Sequence, residues 1–149
     1  MTAFVSWLQH DTAGLLTLAV RLEALERATL AVARWLAERP EVERVLHPAL
    51  PSCDGHELWR RDFTGSASVF SVLFDERYTK EQLTAFVNAL ELFEIGYSWG
   101  GVTSLVLPHF DLPRQHASVR RGSLVRFNIG LESVDDLVAD LDRALQVLA

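Results

Sequence analysis

The feature that most limits the fold is one long helical stripe near the N-terminus. Leu15, Leu18, Leu22, Leu25 and Leu36, with alanines between them, recur at helical spacing over residues 13–38, and Pro40 ends the run. Gly14 falls inside the pattern. At about 1.5 Å per residue a continuous helix there would span roughly 36 to 39 Å. A chain of 149 residues can bury a substantial core, yet a helix of that length exceeds what so small a domain needs. The stripe therefore predicts a helix whose apolar face is only partly used by its own domain.

Beyond Pro40 the chain alternates short strand-like runs with helices. Residues 42–47 read as a strand closed by Pro48, and a turn-rich stretch from Pro51 to Gly55 leads into a short helix over residues 56–62. Residues 68–74 form a second strand. Thr79 with Gln82 three residues later gives a capping-box pattern, followed by Leu83, Phe86, Val87 and Leu90 on one helical face. Residues 94–98 and 124–129 read as strands, and residues 104–107 as extended. Ser133 caps a last helix, with Asp136 in the box position and Val134, Leu137, Val138, Leu141, Leu145 and Leu148 on one face. This order predicts an α+β domain: an antiparallel or mixed sheet of about four strands, helices on one face, and the long helix in front.

Two segments carry chemistry. Tyr97-Ser98-Trp99-Gly100-Gly101 is a strand end entering a tight turn, because paired glycines accept backbone angles other residues avoid. Leu124-Val125-Arg126-Phe127-Asn128-Ile129-Gly130-Leu131-Glu132 is a strand alternating around one arginine and closing on Gly-Leu-Glu before a helix. An arginine so placed can grip a carboxylate through two parallel hydrogen bonds. From chemistry alone, a surface ion pair is the commoner role for Arg126, and a core position the commoner one for Trp99.

Those segments, with His47-Pro48-Ala49-Leu50-Pro51 and the run from Gly55 to Gly65, resemble the C-terminal domain of the Cys/Met-metabolism enzymes that use pyridoxal phosphate, in particular their cystathionine β-lyase branch. The resemblance runs from about Leu15 to the C-terminus. It implies that Arg126 holds the α-carboxylate of an amino-acid substrate and that Ser98 and Trp99 line the same pocket. It also explains the excess length of the first helix, which in the family passes from a large domain into the small one. Residues 1–12 do not match the family and read as a new start, a linker or the result of truncation, so residues 13–149 constitute the small domain. Thr103 stands where the family has a glutamate after Gly-Gly-Val, and the loop before Arg126 is short, which leaves substrate choice open.

Pyridoxal phosphate chemistry needs a lysine for the Schiff base. Lys80 is the one lysine in the sequence, and the capping box puts it at the first position of a solvent-facing helix. No catalytic residue, covalent cofactor site or metal site is therefore expected in this chain. His47, Cys53 and His56 include a Cys-x-x-His spacing but are too few for zinc. Ser66 and Ser68 have no histidine and acid at a spacing that suggests a hydrolase.

Net charge is −6, and the basic pairs Arg60-Arg61 and Arg120-Arg121 are scattered, which argues against nucleic acid. No apolar run reaches the length of a membrane helix, the start lacks the pattern of a signal peptide, and one cysteine permits no internal disulfide; together these indicate a cytoplasmic protein. Two functions remain. The chain is the C-terminal part of a carbon–sulfur lyase acting on cystathionine or cysteine-type substrates, with a separate large-domain chain holding the cofactor. Otherwise it is a non-catalytic remnant, acting as an oligomerisation or amino-acid-binding module. A homo-oligomer is expected in either case.

Overall fold

The computed structural model describes residues 14–110 and 123–148. Segment 1–12, the pair Arg120-Arg121 and Ala149 lie outside the described residues. Its elements run α1 (Leu18–Ala37), β1 (Val42–Leu46), α2 (His56–Asp62), β2 (Val69–Phe74), α3 (Lys80–Ala89), β3 (Glu94–Ile95), β4 (Leu105–His109), β5 (Leu124–Asn128) and α4 (Val134–Leu145), closed by a 3-10 turn over Gln146–Leu148. The strands form one sheet in the order β1-β2-β5-β4-β3. All pairs are antiparallel except β3 with β4. The architecture is the mixed α+β one expected, with five strands rather than about four because the two-residue β3 pairs at the edge.

Alternation on the central strands builds the core. Val125 and Phe127 of β5 face the same side as Phe70, Val72 and Phe74 of β2 and Val106 of β4, and all six are buried. The helices cover that side with Leu36, Leu83, Phe86 and Leu141, each inaccessible to solvent. Phe127 sits at the middle, stacked on Phe70 at 5.6 Å and edge-on to Phe93 at the same distance. The intervening residues of β5, Leu124, Arg126 and Asn128, therefore point to the other face.

Three local expectations need correction. The first helix is not continuous: residues 14–16 are helical, the chain breaks at Thr17, and α1 begins at Leu18. Side chains cause the break. The carbonyl of Gly14, which a continuing helix would pair with the amide of residue 18, instead accepts from Arg21 Nη2 at 2.7 Å and Thr17 Oγ1 at 3.3 Å. Ser133 does precede α4, but its side chain makes no capping bond; Asp135 and Asp136 in the first turn favour the helix start through its dipole. The third strand stops at Ile95 because the carbonyls of residues 96–98 turn toward Arg126. By contrast, the Thr79–Gln82 capping box of α3 forms with both reciprocal bonds.

Leu25, Ala28, Thr29, Val32, Ala33 and Leu36 of α1 are buried, whereas Leu15, Leu16, Leu18, Val20 and Leu22 are between 41% and 82% exposed. The N-terminal half of the stripe thus projects beyond the core. Beside it lies a groove of about 900 Å³ whose lining includes Leu22, Pro48, Leu58, Trp59 and Phe63. Contiguous apolar surface of this kind marks an interface. The purified chain is expected to self-associate with rising concentration, read by sedimentation velocity, and Leu16→Glu with Leu22→Glu should shift it back toward monomer. A wild-type chain that stays monomeric at high concentration and takes up no dye for apolar surface would contradict this.

Candidate functional site

The site is assembled by β5 and the loop that leads from β3 to β4. Arg126 lies in the middle of the central strand, between Ser71 of β2 and Leu107 of β4, on the face away from the helices. Its Nη2 donates to the carbonyl of Tyr97 at 2.7 Å and, at longer range, to those of Gly96 at 3.3 Å and Ser98 at 3.4 Å. Among the described residues nothing accepts from its Nε or Nη1. The guanidinium is therefore fixed along one edge by backbone and carries its remaining donors on the other. Such a planar fork can take a carboxylate without further ordering.

The loop itself is tied to the same strand at several further points. Asn128, two residues after Arg126, bonds through Oδ1 to the Gly100 amide at 2.8 Å and through Nδ2 to the Thr103 carbonyl at 3.1 Å. Beyond the strand end, the Leu131 amide donates to the Val102 carbonyl at 2.8 Å. Glu132 accepts from the Ser104 amide and hydroxyl, both at 2.8 Å, and the Ser104 hydroxyl accepts in turn from the Gly130 amide at 2.9 Å. On the far side, Asp140 of α4 is buried and accepts the amides of Glu91 and Leu92 and a bond from Arg143, which sets the approach into β3.

The structure thus brings Arg126 and Ser98 together through the Ser98 carbonyl. Trp99 is 66% exposed in the same loop, which excludes a core role for it. Asn128, Ser104 and Glu132 were not singled out from sequence as individual residues. The signal available was the polar character of positions 126 and 128 in an otherwise apolar strand.

The remaining candidates serve the scaffold. His47 is fully buried, and its Nδ1 accepts from the Ala49 amide at 3.2 Å, while burial lowers its pKa and favours the neutral ring. His56 Nδ1 pairs with the Pro48 carbonyl at 2.9 Å. Burial first, and the Asp54 charge second, raise the Cys53 thiol above its ordinary value. Among the described residues no three His, Cys, Asp or Glu side chains cluster as a metal site would require. Ser66 donates from both its amide and its hydroxyl to Glu26, and Ser68 donates to Asn128, so neither faces a histidine base. No helix among the described residues is long and apolar enough to cross a membrane.

Lys80 is exposed at the first position of α3, and that helix packs on the core side of the sheet, opposite the face that carries Arg126. A lysine there cannot present its amine to a substrate held by Arg126. Within this chain, Lys80 and Arg126 therefore stand on opposite faces of the sheet.

The family described as Cys/Met metabolism PLP-dependent enzyme matches residues 1–146. Cystathionine beta-lyase MetC of Escherichia coli K12 is 48% identical over 136 residues, covering 87% of this chain and 34% of that protein. An L-alanine/L-glutamate racemase of Wolbachia pipientis is 40% identical over 136 residues, covering 89% of this chain and 34% of the relative. The solved structure of cystathionine gamma synthase from Xanthomonas oryzae, in complex with aminoacrylate and cysteine, superposes with a TM-score of 0.77 at 30% identity, covering 91% of this chain and 36% of that one. The chain thus spans about a third of the length of the relatives it matches. Shared sequence and shared fold agree, and this chain belongs to the Cys/Met-metabolism family of pyridoxal-phosphate-dependent enzymes.

Proposed function

We propose that this chain is the C-terminal part of a carbon–sulfur lyase and supplies the grip for the α-carboxylate of its amino-acid substrate. The observation that carries the reading is Arg126, held along one edge by three backbone carbonyls with no described acceptor for Nε and Nη1. Cystathionine, cysteine and aminoacrylate, the compounds named with its relatives, all present an α-carboxylate. Arg126 binds and orients that group, and Ser98 and Trp99 form the wall beside it. Pyridoxal phosphate would supply the electron sink for the elimination, and the part of the family's length that lies outside these residues would hold it. The thioether itself is left open by Thr103 and by a relative that is a racemase.

A second reading, a remnant that only oligomerises or binds amino acids, draws on the exposed apolar half of α1 and the position of Lys80. Co-expression with the large-domain portion of a family lyase separates the two. The lyase reading expects a complex that releases pyruvate from cystathionine and, after borohydride reduction, carries the cofactor on the partner chain with Lys80 unmodified. Failure of the chains to associate or to act supports the remnant. A stoichiometric adduct on Lys80 would overturn the account of the cofactor given above.

A further inference from the structure

We infer that Asn128 is a positioning residue that fixes the 98–103 loop over Arg126, an assignment whose functional weight rests on the carboxylate reading of Arg126. Asn128 is 1% exposed on the central strand, where an unpartnered carboxamide would be costly. Both of its polar atoms have partners instead. Oδ1 accepts from the Ser68 hydroxyl and the Gly100 amide, each at 2.8 Å, while Nδ2 donates to the Thr103 carbonyl at 3.1 Å. Two donors meet the oxygen and an acceptor meets the nitrogen, so the amide has one workable orientation.

The bonds have a division of labour. Ser68 immediately precedes β2 and meets the carboxamide oxygen from the sheet side, without touching the loop. Gly100 and Thr103 lie in the loop, and Gly100 is the residue where the backbone turns through a φ of +73°. Asn128 therefore holds the turn, while Arg126 on the same face of the same strand holds the carbonyls just before it. Trp99 lies between the two anchors. If the turn is released, the carbonyls that fix the guanidinium lose their support, and Arg126 regains the rotamer freedom that a long side chain otherwise has to give up on binding.

Only a carboxamide satisfies both loop contacts. Aspartate keeps the acceptor for Ser68 and Gly100 but sets a carboxylate oxygen against the Thr103 carbonyl. Leucine keeps the volume and leaves the Gly100 amide and Thr103 carbonyl without their partner.

The test uses the isolated chain and needs no substrate. Asn128→Asp, Asn128→Leu and Ser68→Ala are compared by amide hydrogen exchange, by the Arg126 Nε resonance in nitrogen-15 spectra, and by thermal unfolding. Asn128→Leu is expected to speed Gly100 exchange roughly five- to tenfold and to move the Arg126 Nε signal. Asn128→Asp should move the Arg126 signal with a smaller change at Gly100. Ser68→Ala and the Asn128 variants should all lower the unfolding midpoint, but Ser68→Ala should leave Gly100 and Arg126 close to wild type, which a merely stabilising role for Asn128 would not separate. Unchanged Gly100 exchange and Arg126 resonance in both Asn128 variants, or the same local changes in Ser68→Ala, would overturn the assignment. If these signals move as stated but Arg126 proves indifferent to carboxylates, the positioning role stands and the proposed function falls.

Discussion

Replacing Arg126 by leucine in a reconstituted two-chain enzyme is expected to lower kcat/KM by about thirty- to several-thousand-fold, the factor that corresponds to losing a charge-assisted pair worth about 2 to 5 kcal/mol. The strand and loop geometry supports the upper part of that range. The guanidinium is already oriented by the Tyr97 carbonyl at 2.7 Å, so wild type gives up little freedom when it closes on a carboxylate. Arg126→Lys should fall less but still clearly, because an ammonium keeps the charge and loses the coplanar pair of donors. Paired measurements with a substrate analogue that lacks the α-carboxylate decide what the loss means. The analogue should be nearly insensitive to both substitutions. Equal losses for substrate and analogue would show that Arg126 supports folding only, and the carboxylate assignment would have to be withdrawn.

Gly130→Ala is expected to be the most damaging small substitution in the chain. A Cβ at that position would lie 2.6 Å from the Ser104 amide nitrogen and closer still to the Val102 carbonyl oxygen, both of them backbone atoms that cannot swing aside. The same Cβ would collide with the Glu132 carboxylate that accepts both Ser104 donors. Relief requires the loop and the strand end to separate, breaking the bonds that join them. A cost of about 3 kcal/mol follows from overpacking of this kind, or a fall of roughly 10 °C in the unfolding midpoint for a chain of this size. Gly101→Ala is the control. A Cβ there meets nothing within 4 Å, so its midpoint should stay within about 2 °C of wild type. Equal midpoints for the two variants would show that the strand end and the loop are not tightly joined.

Periodicity made most of the fold legible. The helix over residues 56–62 falls where the sequence places it, and the capping box at Thr79 forms as its spacing requires. Strand positions were also readable, since β-branched and aromatic runs between turn residues leave few other choices. The places that resisted are those where a side chain competes with the backbone. Thr17 and Arg21 take the Gly14 carbonyl out of a helix that the apolar stripe alone would continue. Arg126 draws three carbonyls out of a strand that would otherwise run on from Ile95. The Arg126 bonds join residues 28 to 30 positions apart, so no local pattern announces them. What was legible of the candidate site was the choice of Arg126, Ser98 and Trp99 as neighbours, with the Gly-Leu-Glu that ends the strand. The roles of Asn128 and Ser104 were not, because each acts through a partner that only the folded chain brings near.

One strand, β5, carries both the centre of the core and the arginine, on alternate residues. Val125 and Phe127 face the helices, while Arg126 and Asn128 face the loop. A single-residue insertion or deletion within Leu124–Asn128 would exchange these two sets, placing a guanidinium among phenylalanines and a phenyl ring at the site. Length is therefore frozen along this strand, and gradual drift in it is confined to like-for-like exchanges on each side. The connecting loop is outside that alternation, so a change of its length leaves the inward and outward sets of the strand in place.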